Sequence, residues 1–171
     1  MSSWFNPYNS ARQRRIEVLK GKTILAVDDE PDVLETIVEL LDMCRIETAG
    51  NFDKAQQLLR TRRYDMVILD IMGVKGLDLL DTAVEKDFPC VMLTAPALSP
   101  DYLLKAMQQG ATSYLPKEDL ANLDSLLTEL FDILAKGDSP WRHTLKRLEP
   151  LLDERFPSGW KENYRVLWDR V

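Results

Sequence analysis

Apolar positions along the chain switch between two rhythms. Unbroken apolar runs lie within strand-length segments at 23–27, 66–70 and 89–94, with shorter strand-like segments at 45–49 and 112–115. Such runs read as short strands buried on both faces, as in a parallel sheet. Between them the spacing becomes helical. Val33, Ile37, Leu40 and Cys44 share one face, and Ala55, Leu58 and Leu59 share another within 52–63. A short helix is predicted at 77–86. Ser99-Pro100 reads as an N-cap followed by a first-turn proline, and Gly110 closes that helix. Leu120, Leu123, Leu127, Leu130 and Leu134 fall inward along 118–136. Strand and helix thus alternate five times, which predicts an α/β fold with a five-stranded parallel, doubly wound sheet.

The flanks obey neither rhythm. Residues 1–21 form a polar lead-in, predicted to hold one or two helical turns around Ile16, Val18 and Leu19. Residues 22–136 make the main domain. Gly137-Asp-Ser-Pro140 then breaks the pattern, and 137–171 is expected to be a two-helix amphipathic tail. Its first helix carries Trp141, Leu145, Leu148, Leu152 and Phe156. After Pro157-Ser-Gly159, its second carries Trp160, Tyr164, Leu167 and Trp168. So short a segment cannot hold a core alone. It must pack on the main domain, on a second copy in a homodimer, or on a partner.

Composition narrows the class. With 45% hydrophobic and 29% charged residues the chain can bury a core. It contains no apolar run of the roughly 20 residues a membrane span needs. The N-terminus lacks the apolar centre of a signal peptide, so a cytoplasmic protein without a membrane partner is expected. Cys44 and Cys90 read as small core residues, not as a disulfide framework or zinc site. Residues 23–137 carry ten Lys/Arg against twenty-one Asp/Glu, a net of −11. A nucleic-acid protein concentrates positive charge on its main domain, and this chain does the opposite.

The chemistry gathers where the strands end. In a doubly wound sheet the carboxyl ends of strands one, three, four and five converge on one crevice. Here those ends are Asp28 and Asp29, Asp70, Thr94 and Lys117. Each alone has an ordinary explanation as a helix-start acid, a turn-former, a strand threonine or a solvated lysine. Together they suggest a site. Clustered carboxylates repel one another unless a cation lies among them, and an all-oxygen donor set suits Mg²⁺. A hydroxyl and an ammonium facing that metal would complete a cage around a phosphoryl group, with Asp70 as acceptor.

Four motifs carry a family resemblance: Ile-Leu-Ala-Val-Asp-Asp-Glu-Pro at 24–31, Val-Ile-Leu-Asp-Ile-Met at 67–72, Met-Leu-Thr-Ala at 92–95 and Gly-Ala-Thr-Ser-Tyr-Leu-Pro-Lys at 110–117. Together they resemble the receiver domain of two-component response regulators, over about residues 22–136. The resemblance implies the strand order 2-1-3-4-5. It implies that Asp29, Asp70 and the backbone carbonyl of Met72 hold Mg²⁺ directly, with Asp28 acting through water. It implies that Asp70 takes a phosphoryl group from a histidine kinase or phosphotransfer protein, that Thr94 and Lys117 contact its oxygens, and that Tyr114 is an aromatic switch. The loop after Asp70 lacks the family's proline after Met72, and Glu118 stands after Lys117 where the family often has proline, so no cis peptide is expected there.

The expectation is a phospho-accepting switch, not an enzyme beyond its own phosphorylation and dephosphorylation. It would signal through protein contacts with an output partner that the sequence does not name, since the tail is too short for the usual DNA-binding domain. Two alternatives stand beside it. One is a tail that binds RNA or DNA under receiver control, because basic residues interleave there with aromatics. The other is a hydrolase using an aspartyl phosphate. Such enzymes place an acid two residues after the nucleophile, where this chain has Met72.

Overall fold

The computed structural model describes residues 7–95 and 99–169. Five parallel strands, β1 (Thr23–Val27), β2 (Arg45–Ala49), β3 (Met66–Asp70), β4 (Cys90–Thr94) and β5 (Ser113–Pro116), form one sheet. Their order is β2-β1-β3-β4-β5, as expected. Every residue of β3 and β4 is buried, which explains the apolar runs that lead up to Asp70 and Thr94. Strand alternation divides the core. Leu25, Val27, Val67, Leu69, Met92 and Tyr114 belong to one hydrophobic layer, while Ile24, Ala26, Ile68, Val91, Leu93 and Leu115 belong to the other.

Helices α3 (Phe52–Thr61), α4 (Gly76–Glu85) and α5 (Pro100–Gln108) fill the first layer, and α2 (Pro31–Leu40) and α6 (Leu123–Ala135) the second. Local chemistry sets their starts. The Asn51 side chain accepts from Lys54 N at 2.9 Å, and the Ser99 hydroxyl accepts from Asp101 N at 3.2 Å. Pro31 and Pro100 open α2 and α5, where a missing N–H costs nothing.

Three elements before the tail differ from the sequence reading. Helix α2 ends at Leu40, before Cys44, because buried Leu41 leaves helical geometry and the chain turns toward β2. The stretch expected as one helix from 118 opens with a 3₁₀ turn, Lys117–Asn122. Its tighter winding stacks Leu120 above Leu123, and both are buried. The lead-in is a full helix, α1 (Pro7–Leu19), packed on α6. Arg14 pairs with Asp132 at 2.7 Å and Arg15 with Asp124 at 3.0 Å, while Leu19 is fully buried in the second layer. The helix is mostly exposed and polar, so tertiary contacts rather than an apolar stripe define it.

The tail docks on its own main domain. Helix α7 (Pro140–Arg155) lies against β5, at one edge of the sheet. Trp141, Leu145, Leu148, Leu152, Trp160 and Leu167 join the first hydrophobic layer. Trp141 Nε1 donates to the Ala111 carbonyl at 2.6 Å, and the Thr144 and Ser113 hydroxyls meet at 2.7 Å, both buried. The second tail helix is instead two short ones, α8 (Trp160–Asn163) and α9 (Arg165–Asp169). A continuous helix would separate Trp160 and Trp168 by about 12 Å along its axis. The break lets their rings meet edge-on with centroids 5.3 Å apart.

Candidate functional site

Sheet register brings the predicted residues to one edge. Val27 pairs with Leu69, Asp70 with Leu93 and Thr94 with Pro116, so Asp28, Asp70, Thr94 and Lys117 all stand at the carboxyl ends of adjacent strands. Asp28 is fully buried and Asp70 and Thr94 nearly so.

Lys117 ties the carboxylates together. Its Nζ lies 2.8 Å from Asp28 Oδ2, 3.4 Å from Asp70 Oδ1 and 3.7 Å from Glu30 Oε1. The Asp28 contact is ionic; its Oδ2 falls short of hydrogen-bond alignment with the ammonium. Its other oxygen accepts from Glu30 N at 2.9 Å. Burial pushes the Asp28 carboxyl above its usual range, and Lys117 and the Glu30 amide offset this only in part. Burial works against the Lys117 charge too, but Asp28, Asp70 and Glu30 outweigh it and raise its pKa. Asp70 presents its second oxygen, Oδ2, to the Gly73 amide at 3.1 Å.

Two glycines make this packing feasible. A Cβ on Gly73 would run into the Asp29 carboxylate, and one on Gly76 would meet the Asp70 carbonyl oxygen. Helix α4 can therefore start directly against the end of β3, after a loop in which Lys75 adopts left-handed geometry at φ 53°. No described peptide bond is cis, including the one after Lys117.

Carboxylate oxygens of Asp28, Asp29 and Glu30 lie within 4.8 Å of one another. The set is all oxygen, and Asp29 and Glu30 are exposed, so a hard dication that keeps several waters fits it. Glu30 was not among the residues singled out from the sequence; its signal was the unbroken acidic run before Pro31. Asp70 stands outside this closest group and joins it through Lys117. Thr94 Oγ1 donates to the Ala95 carbonyl at 3.2 Å. Met72 is 62% exposed. Pro96, at the position two after Thr94, lies outside the described residues.

Tyr114 is fully buried three residues before Lys117. Its hydroxyl has no hydrogen-bond partner among the described residues. Burial raises its pKa, while nearby Thr94 draws it down. From the tail, the Arg147 guanidinium donates to the Tyr114 carbonyl at 2.6 Å.

The tail's basic residues are partly consumed by such contacts. Arg155 pairs with Glu118 at 2.7 Å, and Lys161 is held by Glu149 and Asp153. A nucleic-acid surface needs free cations in a row, and nothing in this arrangement supports one. No described helix is long and apolar enough to cross a membrane.

Known proteins place this geometry. The model of the response regulator receiver domain matches residues 24–128. The Arabidopsis thaliana two-component response regulator ARR10 is 34% identical over 126 residues, covering 65% of this chain and 23% of that protein. The Pseudomonas aeruginosa phosphate regulon transcriptional regulatory protein PhoB is 33% identical over 120 residues, covering 63% of this chain and 52% of that one. The chain thus corresponds to only part of each relative's length. Among solved structures, a CheY-like receiver domain protein of Methanospirillum hungatei JF-1 superposes with a TM-score of 0.62 at 21% identity. It covers 69% of this chain and 99% of its own, and it supports the fold alone. Receiver domains are signalling modules of two-component systems, and by its matched residues this chain belongs to the response regulator receiver family.

Proposed function

We propose that Asp70 accepts a phosphoryl group from a phosphohistidine on a histidine kinase or phosphotransfer protein. The observation that carries this is the position of its carboxylate. It is 3% exposed at the carboxyl end of the central strand, with an ammonium on one oxygen and a backbone amide on the other. An Asp70 oxygen forms the bond to phosphorus as the phosphorus–nitrogen bond of the donor breaks, and the donor imidazole leaves. Lys117 then follows the charge from the carboxylate to the acyl phosphate, and the Thr94 hydroxyl stands one strand away for a phosphoryl oxygen. Because the transferred group needs little covalent help, positioning and charge neutralisation supply most of the rate.

Mg²⁺ fits this acidic edge: Asp29, Asp70 and the Met72 carbonyl would hold it directly, with Asp28 acting through water. When bound, it neutralises charge developing on the phosphoryl oxygens. The output is a protein contact, with the tail as part of the switch, and the cell compartment is the cytoplasm. Incubation with acetyl phosphate and Mg²⁺ should add one phosphoryl group to the intact mass. Asp70→Asn should abolish the gain, and an unchanged gain in that variant would assign the acceptor elsewhere.

A further inference from the structure

Tail contacts bracket Lys117 on both sides. Upstream, three side chains on one face of α7 hold β5 and its approach: Trp141 on the Ala111 carbonyl, Thr144 on Ser113, and Arg147 on the Tyr114 carbonyl. Downstream, Arg155 holds Glu118, the residue directly after the lysine. Arg147 is the unusual member. Among the described residues it has no carboxylate within ion-pair range and no hydrogen-bond partner for its Nε. Burial pushes its pKa down, with Glu129 and Asp119 opposing at a distance. A partly desolvated guanidinium satisfied by one carbonyl adds little net stability. What it does do is fix the main chain at Tyr114. That main chain runs within three residues to the ammonium that bridges Asp28 and Asp70.

We propose that α7 is a positioning element for the phosphoryl site: Arg147 on the end of β5 and Arg155 on the following 3₁₀ turn hold the chain on either side of Lys117, so tail docking and occupation of the Asp70 site strengthen each other. The proposal rests on Asp70 being the acceptor. The sign follows from the docked state, in which the Lys117 side chain is only 13% exposed and already in reach of both carboxylates. A lysine held there loses little freedom when a phosphoryl group arrives. Linkage makes the effect reciprocal, so a bound phosphoryl mimic must hold the tail down by the same factor. Arg147 and Arg155 are positioning residues, since neither contacts the acidic cluster.

Beryllofluoride with Mg²⁺ serves as the probe, read by the ¹⁹F resonance of the bound form in the full chain. Arg147→Met should weaken binding by about ten-fold, and Arg147→Lys, which keeps charge without the fork, by less. Tyr164→Phe is the control. It removes the 2.9 Å contact to Asp101 on α5 and loosens the tail away from Lys117, so binding should change by less than about two-fold. Tail amides should exchange more slowly in the beryllofluoride-bound protein. Native affinity in Arg147→Met, or equal weakening in Tyr164→Phe, overturns the proposal, and so does tail exchange that ignores the probe. Failure of the unaltered protein to bind beryllofluoride would instead remove the acceptor reading, and this proposal with it.

Discussion

Lys117 Nζ lies 2.8 Å from Oδ2 of Asp28, the one carboxylate of the acidic edge that is fully buried. The cluster is therefore not bare repulsion awaiting a metal, as acid spacing alone suggested. An internal cation already answers part of it.

Removing that cation should cost more than removing an acid. Lys117→Met leaves the Asp28 carboxylate buried without its counter-charge, which should lower metal-free stability by about 2–4 kcal/mol. Mg²⁺ should restore part of the loss. The pH dependence has a definite sign. Lys117 stabilises the fold below its ordinary value of 10.5, and this contribution fades as pH rises through its raised pKa. In the variant, Asp28 loses the group that restrains its upward shift, so the deficit should shrink as acid protonates it. Urea unfolding from pH 4 to 11 reads both. A deficit that grows toward acid would contradict the buried-pair account.

Gly73 should matter to the metal more than to the fold. Its φ is not positive, yet an added Cβ would strike the Asp29 carboxylate. Gly73→Ala should weaken Mg²⁺ binding by roughly ten-fold, in line with disturbed metal-site surroundings. Asp29→Asn should weaken it as well, while its exposed side chain limits the change in metal-free stability to about 0.5 kcal/mol. Mg²⁺ titration alongside thermal unfolding separates the two effects. Native Mg²⁺ affinity in Gly73→Ala would dismiss the steric argument.

The tail is part of the core. Trp141 is 7% exposed, sits in the first hydrophobic layer and donates its indole hydrogen to Ala111. Trp141→Ala should destabilise the protein by about 3–5 kcal/mol. Truncation after Gly137 should uncover apolar surface around Tyr114 and promote association. A truncated protein as stable and monomeric as the full chain would make the tail an independent arm.

Phosphoryl lifetime should depend on Met72. Two residues after the acceptor, a thioether cannot align a water for attack on the acyl phosphate. A polar side chain there can, because the position is 62% exposed and open to solvent. Met72→Glu or Met72→Asn should hasten loss of the phosphoryl group, up to roughly 10²-fold. The decay is timed after acetyl phosphate is removed. Two variants that decay no faster than the native protein would exclude control at this side chain.

Periodicity alone determined the α/β alternation and the number of strands. Unbroken apolar runs have few ways to be buried, and parallel strands need the helices that the intervening spacing supplies. Because strand ends in such a sheet share one edge, Asp28, Asp70, Thr94 and Lys117 could be named before any contact was known. What tertiary structure decided was partnership. The mostly polar surface of α1 does not announce a full helix; it is held by Leu19 in the second layer and by Asp124 and Asp132, more than a hundred residues away. Glu30 became a member of the acidic group only once the folded turn brought its carboxylate within 4.8 Å of those of Asp28 and Asp29. The tail's spacing revealed an apolar face but not what it covers. That depended on the shape of the surface around β5 and on Arg147 meeting the Tyr114 carbonyl, contacts that sequence separation conceals.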